Sequence, residues 1–278
     1  MALSANSLAV RAEDYLQAFA RPFMKGQVSR RFITQDFFRS SAGVEYVGQK
    51  LRISGEVSAR RIAFVQSDYL EEFLKLFDPS WGVVTLLVGR SDRDFHEPFE
   101  LPEGVKRAFL QNLCFQKEAF SLLPIGVENL ELAKNGLPQN IRRTSQKKNK
   151  VLVGPFGDTH EDRHQLNQIA KSPHSGLTHL TARMTAFRYS RVASQHAYVA
   201  CPRGNGQDTH RFWETLYRGS IPIVKRSEWS WQIKQLGIEI IELDNWEQIL
   251  DIDLPAFKPA TTPNELLELK YWRMRIGV

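Results

Sequence analysis

The sequence predicts an α/β protein made of two parallel-sheet units in tandem, and three observations carry that prediction. Short strand-like apolar runs alternate with longer helix-like ones along most of the chain, the pattern of parallel strands joined by covering helices. The 278 residues are enough for two domains at about 100–200 residues each. A polar, acid-free segment, RRTSQKKNK at 142–150, interrupts the alternation near the middle, as a linker does. The expected division is a first unit at 1–140, a basic linker at 141–150, a second unit at 151–260 and a terminal helix at 261–278.

In the first unit the runs fall at 62–65, at 68–77 with amphipathic spacing, and at 83–88, 105–110 and 120–125. No run is assigned within residues 1–60. After the linker come 151–153, a polar helix-like stretch at 160–170 and another at 184–192. The pattern then continues through 198–200, 208–217, 221–224, 229–236, 238–243 and 246–250. Near the C-terminus, Leu266, Leu267, Leu269 and Trp272 follow Pro263 at near-helical spacing, which predicts a helix packing on a surface already built. Two such units imply a cleft between them, where α/β proteins bind ligands.

Hydrophobic residues make up 42% and charged residues 24%, close to globular averages, so disorder, collagen and disulfide-scaffold classes are excluded. The 37 Lys+Arg against 31 Asp+Glu give a net charge of +6. Arg142, Arg143, Lys147, Lys148 and Lys150 hold most of that excess in the linker, which reads as a solvated surface loop; contact with phosphate or an anionic membrane is the alternative. Elsewhere no Lys/Arg stripe is interleaved with aromatics, so a nucleic-acid partner is not expected. Cys114 and Cys201 stand far apart, supporting neither a disulfide framework nor a zinc site. Arg11, Glu13 and Asp14 break the N-terminal region, and no stretch approaches the roughly 18 apolar residues of a span. A cytoplasmic protein is expected, with the inner face of a membrane as a peripheral contact.

The densest site-like segment is 197–225, AYVACPRGNGQDTHRFWETLYRGSIPIVK. Its grammar is strand, glycine-rich turn, helix, turn, strand. Gly204 and Gly206 let backbone approach a ligand, Asp208 or Thr209 can cap the helix, and the helix start favours an anion. Arg203 and Arg211 add donors suited to phosphate oxygens. His210, Glu214 and Arg218 share one helical face, while Phe212 and Leu216 point toward the core. A carboxylate one turn into this helix can accept hydrogen bonds from ribose hydroxyls; pairing of Glu214 with Arg218 or Arg211 is the structural alternative.

The string Pro202-Arg203-Gly204-Asn205-Gly206-x-Asp208-Thr209-His210-Arg211-x-Trp213-Glu214-x-x-Tyr217-x-Gly219-x-Ile221-Pro222-Ile223-Val224 resembles the nucleotide-sugar half of exostosin-like GT-B glycosyltransferases of polysaccharide and lipopolysaccharide synthesis. Weaker echoes are Ser91-Asp92, Gln111-Asn112, Leu123-Pro124-Ile125-Gly126-x-Glu128-Asn129 and Thr159-His160-x-x-Arg163. The resemblance implies two Rossmann-like domains with an interdomain cleft, the acceptor on the N-terminal side and a nucleoside diphosphate sugar on the C-terminal side. It implies that Glu214 holds the ribose. Gly204, Asn205 and Gly206, with the helix start at Asp208, Thr209 and His210, would cradle the diphosphate. Arg203 and Arg211 would balance its charge, joined by Thr159 and Arg163. Fixed donors on a departing diphosphate are usually the largest catalytic contribution. An inverting reaction also needs a base for the acceptor hydroxyl. Asp92 is the candidate, with Asp94 and Glu128 as rivals, and no cofactor or metal is expected. Its partners would be the donor and a glycan or lipid-linked acceptor.

Other chemistries fit parts of the sequence. Asp92-Arg93-Asp94 and Asp251-Ile252-Asp253 match D-x-D, a metal-binding pair of another glycosyltransferase architecture. An epimerase or hydrolase acting on a nucleotide sugar would share the scaffold. Gly204-x-Gly206 after a strand invites a dinucleotide, although Thr209 occupies the third glycine position. His160 and His164 have the spacing of two zinc ligands without a third. Trp229 and Trp231 could stack on a sugar or base, or pack in the core. A non-enzymatic basic module would instead use the linker and bind with steep salt dependence.

Overall fold

Among the residues that the computed structural model describes (12, 16, 31–56, 58–129, 140–172, 176–258 and 264–278), strands form one sheet of six and one of five. The first contains β1 (Val44–Val47), β2 (Lys50–Ile53), β3 (Ile62–Gln66), β4 (Thr85–Gly89), β5 (Arg107–Leu110) and β6 (Phe120–Leu122), in the order β2-β1-β3-β4-β5-β6. The second contains β7 (Lys148–Val153), β8 (Leu177–His179), β9 (His196–Ala200), β10 (Ile221–Lys225) and β11 (Ile241–Leu243), in the order β11-β10-β9-β7-β8. The described α-helices are α1 (Gln35–Ser40), α2 (Leu70–Leu76), α3 (Glu161–Ile169), α4 (Ala186–Ser194), α5 (His210–Tyr217), α6 (Glu228–Gln235) and α7 (Leu269–Ile276). The chain is therefore α/β with two parallel-rich sheets, and the only described antiparallel pair is β1–β2.

Residues 1–60, in which the sequence pattern assigns no element, contribute α1, β1 and β2. The β1–β2 turn places Gly48 and Gln49 at φ of 57° and 59°, the left-handed pair that suits a two-residue hairpin. Alternation along the buried strands supplies both faces of this sheet. Ile62, Phe64, Leu87 and Phe109 pack against Phe37 and Phe38 of α1 and Trp272 and Ile276 of α7. Ala63, Val65, Leu86 and Val88 join Leu70 and Phe73 of α2 on the other side. No helix lies between β4 and β6; Phe95 and Phe115 from those connections belong to the same core in its place. The terminal helix forms as expected and packs on the first sheet, not the second.

In the second sheet all neighbours run parallel. The chain steps outward from β7 to β8 and then returns to the far side of β7 as β9. The loops leaving the carboxyl ends of β7 and β9 therefore diverge and open a crevice between them. Local signals set the helices that follow. His160 caps α3 by accepting from Asp162 N through Nδ1, and Ser227 and Ser230 form a reciprocal capping box on α6.

The basic segment is a loop over 141–147 with Arg142, Arg143, Lys148 and Lys150 exposed, as expected, but it is anchored at two points. Lys148 already begins β7. The Lys147 ammonium donates to Ser194 O at 2.7 Å, Ser220 Oγ at 3.0 Å and Arg218 O at 3.1 Å. Arg143 Nε donates to Tyr217 O at 2.7 Å. Both cations thus meet carbonyls at the C-terminal end of α5, where the helix leaves acceptors open and its dipole favours positive charge. The two units also meet through Tyr217, whose hydroxyl accepts from Ile33 N at 2.8 Å and donates to Leu267 O at 2.9 Å. No helix among the described residues is long and apolar enough to cross a membrane.

Candidate functional site

A cavity of about 650 Å³ lies where the carboxyl ends of β7 and β9 face the loops that follow β4 and β6. Four walls enclose it. The loop after β7 and the start of α3 supply Pro155, Phe156, Gly157, Thr159 and Arg163. The loop after β9 and the start of α5 supply Gly204, Asn205, Gly206, Asp208, Thr209, His210, Arg211 and Glu214. Thr181, Arg183, Met184, Ala186 and Tyr189 form a third wall, and Asp92, Ile125 and Glu128 of the first unit a fourth. Of the residues singled out in the sequence for this site, all but Arg203 and the rival base Asp94 line one cavity.

The glycines are placed by close approach. A Cβ on Gly206 would come within 2.6 Å of Asn112 Nδ2 and 3.0 Å of Asp92 O, so the loop can lie against the first unit only without a side chain there. A Cβ on Gly204 would stand 2.9 Å from Arg163 Nη2 and displace that guanidinium. Arg163 donates through Nε to Arg203 O at 2.9 Å, and its terminal nitrogens make no hydrogen bond within the described structure. Burial, and then the neighbouring Arg211, hold its pKa below the ordinary arginine value.

The other arginines have different tasks. Arg203 pairs with Asp94 at 2.7 Å and donates to Asn205 O at 2.6 Å, so it fastens the glycine loop to the first unit. Arg211 reaches the cavity but donates to Pro155 O at 2.6 Å, Tyr189 OH at 2.9 Å and Gly154 O at 3.1 Å, and lies over the rings of Phe156 and Tyr189. It braces the first wall from the second. Asp208 is 3% exposed, and its carboxylate accepts from Ile125 N and Trp213 Nε1, each at 2.7 Å. Burial pushes it up to about 7 despite those donors. Asp208 therefore joins the two units beneath the cavity floor.

Glu214 forms the ion pair that was the structural alternative, with one of its oxygens. Its Oε2 pairs with Arg218 Nη1 at 3.3 Å, as the helical spacing allows, and both residues are 2% exposed. Its Oε1 is buried with no hydrogen-bond partner among the described residues. Burial raises its pKa, and Arg218 pulls it back. Thr209 occupies the N-cap of α5 in extended backbone without a side-chain capping bond, and its Oγ1 is likewise buried and unpartnered. A buried acceptor left open costs about 1–3 kcal/mol, which an incoming hydroxyl or N–H donor would relieve.

Asp92 stands on the first-unit wall and accepts from Asn205 Nδ2 at 3.0 Å. Asp94 accepts from Gln207 N at 3.1 Å besides Arg203, so the two carboxylates engage different parts of the opposite loop. His160 is the cap of α3 and His164 pairs with Asp158. Trp229 is buried against Phe212, with ring centroids 5.0 Å apart, while Trp231 is partly exposed. Among the described residues no group of three or more His, Cys, Asp or Glu is placed to hold a metal.

Some contributors carry no sequence signal. Phe156, Tyr189 and the stretch 181–184 have no motif. Asn112 occurs in the sequence echo but acquires a task only in the fold: it accepts from Asp208 N at 2.7 Å and donates to Arg93 O at 3.2 Å. The arrangement offers a buried acceptor, an open guanidinium edge and a glycine floor, a set suited to a molecule carrying both anionic and hydroxyl groups. No protein-family model matches the chain, and no curated protein matches it significantly.

Proposed function

We propose that this protein is a glycosyltransferase of the GT-B type, transferring a sugar from a nucleoside diphosphate sugar to a hydroxyl of a glycan or lipid-linked acceptor at the cytoplasmic side of a membrane. One observation carries the reading. At the crevice between β7 and β9, Arg163, whose terminal nitrogens are open among the described residues, and Glu214, whose buried Oε1 has no hydrogen-bond partner there, line the same cavity, spanned by the glycine loop. A nucleoside diphosphate presents the matching groups: ribose hydroxyls to donate and phosphate oxygens to accept.

In this assignment Glu214 accepts from the ribose. Arg163, Thr159, the start of α5 and the backbone at Gly204 and Gly206 hold the diphosphate. Their charge and dipoles stabilise the leaving group as the glycosidic bond breaks, so no metal is required for that task. Arg203 and Arg211 act indirectly, the first by fixing the glycine loop and the second by bracing the β7 loop. The acceptor enters against Asp92 and Glu128.

Release of nucleoside diphosphate from a sugar nucleotide tests the assignment. Arg163→Ala and Glu214→Gln are expected to raise KM or lower kcat so that kcat/KM falls about 10–100-fold, the value of a lost charged hydrogen bond. Lys148→Ser and Lys150→Ser, at exposed positions on β7, are expected to turn over as the wild type does. Loss of activity with the lysine variants but not the site variants would contradict the proposal and favour a basic binding module.

A further inference from the structure

The transferase needs a group that takes the acceptor's proton, and the cavity holds a histidine whose orientation is already fixed. His210 is the first residue of α5, and its Nδ1 lies 2.8 Å from Gly126 O. A carbonyl oxygen only accepts, so Nδ1 carries the hydrogen and the neutral ring keeps a free lone pair on Nε2. Gly126 is itself held at φ of 68°, with Ile33 O only 2.1 Å from where a Cβ would stand, so the orienting carbonyl is rigidly placed. The ring lines the cavity on the donor side while its anchor belongs to the acceptor side. The charged groups around the same cavity are Asp92, Glu128, Arg163, Arg183, Arg211 and Glu214, with the buried Asp208 below. Asp92, the other candidate base, has Oδ2 engaged by the Asn205 amide.

We infer that His210 is the general base of the reaction, a role that rests on the transferase reading above. Nε2 accepts the proton of the acceptor hydroxyl as its oxygen bonds to the anomeric carbon. The bond from that carbon to the diphosphate oxygen breaks, and its electron pair leaves with the nucleoside diphosphate. The imidazolium then returns the proton to water. The Gly126 carbonyl holds the tautomer throughout, the task that the third member performs in a catalytic triad.

His210→Asn separates this role from a structural one, because the asparagine Nδ2 can replace Nδ1 on Gly126 O while nothing replaces Nε2. With UDP-, GDP-, CMP- and dTDP-sugars as probes and water as acceptor, two quantities are read: thermal stabilisation by the sugar nucleotide, and release of the nucleotide against pH. The expected result is unchanged stabilisation, kcat lower by about 10²–10⁴-fold, and loss of the acidic limb of the wild-type kcat profile. Nitrogen-15 spectra of the wild type are expected to show the Nδ1–H tautomer. Wild-type turnover by His210→Asn, a rise in KM alone, or an Nε2–H tautomer would overturn the inference while leaving the donor site standing. A loss confined to Asp92→Asn would do the same. If none of the four sugar nucleotides stabilises the wild type, the transferase reading itself fails and the inference falls with it.

Discussion

Glu214 and Arg218 show how a pair can be legible in sequence and still be misjudged. Spacing allows an ion pair on an exposed helical face, worth a few tenths of a kcal/mol. The fold instead buries both side chains to 2% exposure, where removing one partner strands the other. Arg218→Met is expected to destabilise the protein by about 3 kcal/mol, at the low end for a buried pair because Glu214 can take up a proton; urea unfolding measures it. A change below about 0.5 kcal/mol would show that the pair is not buried in solution. The same limit applies to Arg203 and Arg163. Both are arginines near glycines in the sequence, and only tertiary position makes one a clamp on Asp94 and leaves the other open to a ligand.

At the scale of elements, β3, β4, β9, α5 and α6, with strong apolar patterns, and the polar α3 fall within two residues of the sequence expectation. The elements that escaped have physical reasons. All four residues of β2 are exposed, including Leu51 and Ile53, so no alternation marks a buried face, and its hairpin uses Gly-Gln where Asn-Gly would have been a signal. Strand β8 is three half-buried residues. The basic linker was readable as a loop over 141–147, but charge without periodicity gives no sign that Lys147 and Arg143 dock on the end of α5 or that Lys148 begins β7.

That docking has a pH signature. Burial, with Arg218 and Arg143 nearby, pushes the Lys147 ammonium down to about 8 from 10.5. Between those values the unfolded chain binds the proton more tightly, so the Lys147 contribution to stability rises as pH rises from about 8 toward 10.5. The wild type is therefore expected to gain stability relative to Lys147→Met across that window in paired thermal melts. A constant difference would place the ammonium in solvent.

At the scale of the molecule, two sheets turn their carboxyl edges toward one cavity, and the contacts that hold them there come from the glycine loop. Asp92, Asp94 and Asn112 of the first unit accept from Asn205, Arg203, Gln207 and Asp208 of the second. The α/β class and the tandem arrangement were visible in the alternation of runs. Which residues latch to which was not, because every latch joins positions about a hundred residues apart and no local spacing pairs its two partners. The charge of +6 takes a different meaning as well. Part of it is anchored at the C-terminal end of α5, and Arg163, whose terminal nitrogens make no hydrogen bond among the described residues, is hidden in the total.

The central claim is that the cavity receives a nucleoside diphosphate sugar, and a thermal-shift screen against UDP-, GDP-, CMP- and dTDP-sugars tests it most directly. A ligand at 100 times its Kd stabilises the folded state by about 2.7 kcal/mol. An upward shift is expected with at least one diphosphate sugar, and it disappears in Arg163→Ala. No shift with any of them, or an equal shift in Arg163→Ala, would contradict it.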